Sequence, residues 1–136
     1  MSKIYQLLKK KTIKKKQHSR TPALKKCTQV KGAVKKARIV TPRKPNSARR
    51  PVAKVFLNNG KRVTSHIPGI GHNIRSHSAV LVRGGGARDL PGVRYSCIRG
   101  VYDFASIFNK KRRRSLYGAK KPIEGTKKLR RKFRFN

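Results

Sequence analysis

Lys and Arg outnumber Asp and Glu by 39 to 3, leaving a formal charge of +36 on 136 residues. Self-repulsion at this density opposes compaction, so the chain is expected to fold beside a polyanion that neutralises it, and nucleic acid is the first candidate. The same imbalance excludes chemistries. Asp89, Asp103 and Glu124 are the whole carboxylate inventory, too few for most reactions that need a carboxylate pair or a carboxylate-bound divalent ion. Metal-dependent nucleases and glycosidases do not fit.

With 35% hydrophobic residues, the length allows one domain with a small core. Cys27 and Cys97 lie too far apart to make a zinc site by themselves and do not form the dense framework of a secreted mini-protein, so a reducing compartment fits best. No run approaches the ~18 apolar residues of a bilayer span, and no membrane role is expected. The start, MSKIYQLLKKK, lacks the apolar stretch and small-residue cleavage site of a secretory signal.

The cations are spread unevenly: 14 in residues 1–38, 12 in 39–109 and 13 in 110–136. Three regions follow: a basic N-terminal arm (1–33), a folded body (34–109) and a basic C-terminal tail (110–136). In the arm, Ile4, Leu7 and Leu8 share one face of a short helix, and Thr21-Pro22 ends any helix. Lys9, Lys10, Lys11, Lys14, Lys15, Lys16 and Arg20, with Lys110, Lys111, Arg112, Arg113 and Arg114 beyond the body, read as groups that order along RNA phosphates. The simpler reading of such runs is a solvated segment.

Within the body the apolar residues recur every second position, which predicts strands. Val34–Val40 is the expected first strand and Val52–Leu57 the second, with Ala53, Val55 and Leu57 on one face and Phe56 on the other. Asn59-Gly60 predicts a two-residue type I′ hairpin turn into Lys61–Ile67. After a loop rich in Gly and His (68–78), Ala79–Val82 is a short strand, and Val93, Tyr95 and Cys97 alternate with Arg94 and Ser96 in the last. Five short strands without a long helix predict a mostly β protein: a five-stranded OB-type barrel with long basic extensions at both ends.

Catalytic patterns are weaker than their structural alternatives. His66, His72 and His77 have no Cys or carboxylate near them in sequence, so hydrogen bonding to RNA or protein is the better reading than a metal site. Gly84-Gly85-Gly86 is a flexible turn, because the Lys-Ser/Thr of a phosphate loop is missing. No nucleophile elbow is present. Neither an enzyme nor a cofactor or metal is expected. Base stacking has thin support: there is no Trp, Tyr95 shares a face with Val93 and Cys97 and reads as core, and Phe56 is a candidate stacking ring.

One segment remains. In Thr41 to Ala48, Pro42 and Pro45 restrict the backbone. Lys44, Asn46 and Ser47 can therefore be presented in a preset arrangement at low ordering cost, suited to a nucleic-acid minor groove. A plain connector is the other reading.

The strings TPRKPNSA, GIGHNIRSHS (Gly69 to Ser78), VLVRGG (Val80 to Gly85), RDLPGVRY (Arg88 to Tyr95) and RSLYG (Arg114 to Gly118), in this order around the Asn59-Gly60 hairpin, resemble the S-twelve family of small-subunit ribosomal proteins. The match runs from Ile4 to about Pro122. This resemblance implies a structural constituent of the small ribosomal subunit. It also implies partners: small-subunit rRNA, neighbouring ribosomal proteins, and the mRNA–tRNA helix and elongation factors during translation. It places Pro45, Asn46 and Ser47 against the rRNA bases that inspect the codon–anticodon minor groove, with Arg43 in the same rRNA-binding loop and Lys44 and Arg88 close to phosphates. It brings the turn Arg88, Asp89, Leu90, Pro91 and Gly92 to the same decoding centre, makes Asp89 a modification site in some members, and turns His77, with His72, toward tRNA and factors.

The pattern departs from the family's at several positions. Arg43 and Arg88 stand in place of Lys, Ile70 and Ser76 in place of acidic residues, and Pro51 and Leu116 in place of Lys. Because the match begins at Ile4, no cleavable presequence is expected. His66-Ile67-Pro68-Gly69 and the basic tail favour an organelle-encoded protein of the mitochondrial matrix ribosome, with a plastid or the bacterial cytoplasm as alternatives. The rival function is a free OB-type single-stranded nucleic-acid chaperone, which should carry a fuller aromatic platform than this chain does.

Overall fold

A computed structural model describes Ile4, Leu8 and residues 18–121. Five strands carry the chain: β1 (Gln29–Val40), β2 (Arg50–Leu57), β3 (Arg62–His66), β4 (Ala79–Gly84) and β5 (Tyr95–Ile98). They close into a barrel in the order β1-β2-β3-β5-β4. All pairings are antiparallel except β3 with β5, which align Ser65 with Tyr95 and His66 with Ser96. The expected five-stranded, mostly β barrel is what forms, and its closure pairs both edges of every described strand's sheet.

β1 is longer than its alternation suggests, starting at Gln29 rather than Val34, inside the segment expected to be an arm. Its first half pairs with β4 and its second with β2, and Gly32 and Ala33 serve both. A Cβ on Gly32 would lie 2.6 Å from the Phe56 carbonyl oxygen, so only glycine lets the strand change partners there. Because Lys31 is exposed and Gly32 contributes no side chain, the sequence shows little apolar alternation over this half.

Ala53, Val55 and Leu57 point inward as expected, joined by Val34, Ile67, Val80, Val82, Cys97 and Phe104. Tyr95 is a core residue, and its hydroxyl accepts the Ala23 N–H at 3.0 Å. Val93 is buried too, but β5 begins two residues later; Val93 instead joins Val52 and Leu90, with Val40 and Ala87 against them, in a second apolar cluster.

The β2–β3 turn corrects the expected type I′ geometry. Gly60 has φ of 82° while Asn59 is not among the residues of positive φ. Leu57 N–H donates to Lys61 O and Gly60 N–H to Leu57 O, both at 2.9 Å. This is the three-residue form, a type I turn over Asn58-Asn59 closed by a left-handed glycine. One left-handed position suffices, which spares Asn59 the strain. Its side chain instead reaches across to the N-terminal segment, where Nδ2 donates to Ala23 O at 2.6 Å. That bond ties the hairpin to the 3-10 turn Pro22–Leu24, whose Leu24 is 3% exposed.

Ile4 and Leu8 are helical and exposed; Leu7 lies outside the described residues, as do Lys9 to Lys16 and residues 122–136. Among the described residues no helix is long and apolar enough to cross a membrane.

Candidate nucleic-acid interface

The proline-framed loop leaves β1 at Val40 and re-enters the barrel at Arg50. Pro42 is buried while Arg43 to Arg49 are exposed, so the segment is pinned at its root and presents the rest. Asn46 N–H donates to Arg43 O at 3.1 Å, which turns the chain at Lys44-Pro45. The second element, Arg88 to Gly92, is a tight turn: Leu90 N–H donates to Ala87 O and Val93 N–H to Leu90 O. Gly92 takes φ of 77°, a conformation a side chain would strain.

These two segments meet. Arg43 N–H donates to Asp89 O at 2.8 Å, and Arg50 Nε donates to Asp89 Oδ2 at 2.9 Å. Beneath them the Val52–Leu90–Val93 cluster fixes the turn to β2. Leu90 is thus an apolar anchor, with 3% of its surface exposed. Between the segments lies an open cavity of about 390 Å³ lined by Arg43, Lys44, Pro45, Asn46, Arg50, Arg88 and Asp89. The Asp89 carboxylate faces Arg50, and Arg43, Lys44 and Arg88 add positive charge around it. Such a site suits an anion with several oxygens. Ser47, Pro91 and Gly92 are exposed beside the cavity without lining it.

Against this geometry, the chain matches the family model for Ribosomal protein S12/S23 over residues 10–124. The chain belongs to this family. It is also 59% identical, over 135 residues, to the small ribosomal subunit protein uS12m of Paramecium tetraurelia, a match covering 98% of this chain and 96% of that protein. As a member of the S12/S23 family it is a structural component of the small ribosomal subunit, and not an enzyme.

Other residues singled out from the sequence lie elsewhere. His77, at φ of 68°, donates its N–H to Val34 O at 2.7 Å and sits over β1, while His72 is exposed in the 68–78 loop. Neither lines the cavity between the two segments. Among the described residues no three His, Cys, Asp or Glu side chains cluster as metal ligands. Arg20 and Lys111 to Arg113 are exposed; Lys110 is half-buried, with its Nζ 5.1 Å from the centroid of the Tyr117 ring. Arg114 opens the 3-10 turn Arg114–Tyr117, which Gly118 closes at φ of 65°.

The roles of Arg50, His66 and Arg99 in this S12/S23 protein emerge only from the structure. Arg50 joins the two segments and also faces His66, whose pKa is lowered first by burial and then by the Arg50 charge, against an opposite pull from Asp89. Arg99 is 3% exposed; its guanidinium donates to the carbonyls of Pro68, Gly71 and Ala105 and stacks 4.4 Å from the Phe104 centroid. Burial pushes its pKa down. The acceptors are backbone carbonyls, which leave no trace in a sequence.

Proposed function

We propose that the cavity between the proline-framed loop and the Asp89 turn holds rRNA at the decoding centre of the small subunit, where it contributes to codon–anticodon fidelity. The observation that carries this reading is the meeting of the two segments: Arg43 and Asp89 share a backbone hydrogen bond and Asp89 grips Arg50. The platform is therefore set before RNA arrives, and contacts made only with correctly paired geometry convert shape into a free-energy difference. Arg43, Lys44 and Arg88 neutralise phosphates, while Pro45, Asn46 and Ser47 make the close approach to rRNA bases. Arg20, Lys110 to Arg114 and the basic residues Lys9 to Lys16 add phosphate contacts along rRNA. His72 and His77 are the surface for tRNA and elongation factors, and Asp89 is the position for a covalent modification.

The ribosome is mitochondrial in this reading. The Paramecium tetraurelia relative is a mitochondrial small-subunit protein, and it extends over nearly the whole chain. The test is Ser47→Ala in assembled subunits. Removing one net hydrogen bond of about 0.5–1.5 kcal/mol should change the miscoding rate roughly two- to twelvefold without loss of assembly. An unchanged error rate removes the loop from decoding.

A further inference from the structure

The outer face of β1, β2 and β3 carries a second basic surface, distinct from the two meeting segments. Across the strands Ala33 pairs with Phe56 and Phe56 with Arg62, and in the adjacent row Lys36 pairs with Lys54 and Lys54 with Thr64. The register of β1 shifts between Val34 and Lys36. Such a bulge breaks the in-out alternation, and Lys35 and Lys36, consecutive in sequence, are both exposed. The result is a groove of about 790 Å³ whose lining includes Lys35, Lys36, Lys54, Arg62, His77 and Phe56 and, among the described residues, no acidic side chain. Its volume falls within the range of ligand clefts, about 300–1,000 Å³.

Phe56 is 47% exposed. Its neighbour on β1 is the methyl group of Ala33, which does not cover the ring, and its neighbour on β3 is Arg62, with the guanidinium carbon 6.0 Å from the ring centroid. The ring thus keeps an open face bordered by cations, one of them, Arg62, at cation–π distance, an arrangement on which a planar base can stack.

We infer that this groove seats a single-stranded RNA segment, with one base stacked on Phe56 and the flanking phosphates on Lys35, Lys36, Lys54 and Arg62. Lys36 and Lys54 face each other across the strands with Lys35 beside them, and Arg62 lies in the next row opposite Phe56, about 7 Å further along the sheet, so the cations mark two points along the groove and follow a backbone rather than one ion. An acidic peptide would satisfy the charges but brings an aromatic plane only where its sequence supplies one, whereas every nucleotide carries a base beside its phosphate. A base does both, and the second and third strands of this barrel type commonly bear oligonucleotides.

The inference rests on the proposed rRNA-binding role, and ultraviolet cross-linking of intact small subunits separates the two. Trypsin releases Val55–Lys61 from the groove and Lys44–Arg49 from the decoding loop. A nucleotide adduct on Val55–Lys61, lost in subunits carrying Phe56→Leu, is the expected result. Adducts on Lys44–Arg49 without any on Val55–Lys61 overturn the groove and leave the decoding reading standing; adducts on neither overturn both. A carboxyl-to-lysine cross-linker that joins Lys35, Lys36 or Lys54 to an acidic segment of a neighbouring protein, with no nucleotide adduct, also overturns it. With the isolated full chain, binding to dodecauridylate should weaken roughly tenfold in Phe56→Leu, while binding to an abasic phosphodiester of the same length is unchanged. Replacing Lys35, Lys36 and Lys54 by Gln should reduce the slope of log K against log salt by about 0.7 for each phosphate no longer neutralised.

Discussion

Asp89 Oδ2 accepts the Nε–H of Arg50 at 2.9 Å, joining residues 39 positions apart. The arrangement is asymmetric: the Arg50 side chain is 43% exposed and that of Asp89 11%. The carboxylate is thus held against the barrel while the cation stays open to solvent. A backbone bond from Arg43 to the Asp89 carbonyl runs parallel to this ion pair, so the joint has both a charged and an uncharged part.

Asp89→Asn removes only the charged part. With Arg50 partly solvated, the expected loss of stability is at most about 1 kcal/mol. Leu90→Ala opens a cavity in the Val52–Leu90–Val93 cluster and should cost about 2–5 kcal/mol. Incorporation into small subunits after a heat challenge ranks the two; a larger defect for Asp89→Asn than for Leu90→Ala would show that the ion pair, not the apolar anchor, holds the turn.

Arg99→Leu leaves the carbonyls of Pro68, Gly71 and Ala105 without their donor. Gly71 and Ala105 are exposed and Pro68 is half-buried, so water can take over at least two of the three acceptors and the expected loss is about 1–3 kcal/mol. Arg99→Lys recovers only part of it, because an ammonium cannot spread a planar fork over three acceptors. Tryptic cleavage after Arg75, in the loop that Arg99 holds, reads out the loosening.

The two thiols should behave oppositely. Cys27 is exposed, whereas Cys97 is buried and burial pushes its thiol up to about 12 from 9.0, with a smaller opposing effect from Ser65. In the unfolded chain Cys97 ionises near pH 9, so between about pH 9 and 12 the native state holds the extra proton and stability falls by ~1.4 kcal/mol per pH unit. At pH 8 a thiol reagent should label one cysteine in native protein and two in denaturant. Rapid native labelling of both contradicts the buried site.

His66 titrates with the reverse sign. Its folded pKa lies below the ordinary 6.5, so the unfolded state binds more protons just below neutrality. The stability contributed by neutral His66 is present above pH 6.5 and is lost as pH falls through that value toward the lowered one. His66→Gln should flatten this part of the stability–pH curve, measured by urea titration, and an unchanged slope would assign it to another group.

Much of the barrel was legible in the chain because its signals are local. Alternation in Val52–Leu57 needs only the two-residue period of a strand, and the proline spacing marks the loop without knowledge of its neighbours. The first half of β1 was hidden because a glycine at the crossing of two strand pairings interrupts the apolar pattern, and the turn at Asn59-Gly60 differed because Asn58 joins it, so that Gly60 alone takes the left-handed conformation.

Charge and motif order thus determined what kind of molecule this is: a cationic barrel with a stiff, polar loop and a family resemblance spanning most of the chain. Tertiary structure alone decided that Arg43 and Arg50 converge on Asp89, that Leu90 anchors their joint, and that a bulge sets Lys35 and Lys36 side by side with Phe56 nearby. Those relations depend on strand register and barrel closure, which sum weak preferences over the whole chain and belong to no single stretch of it.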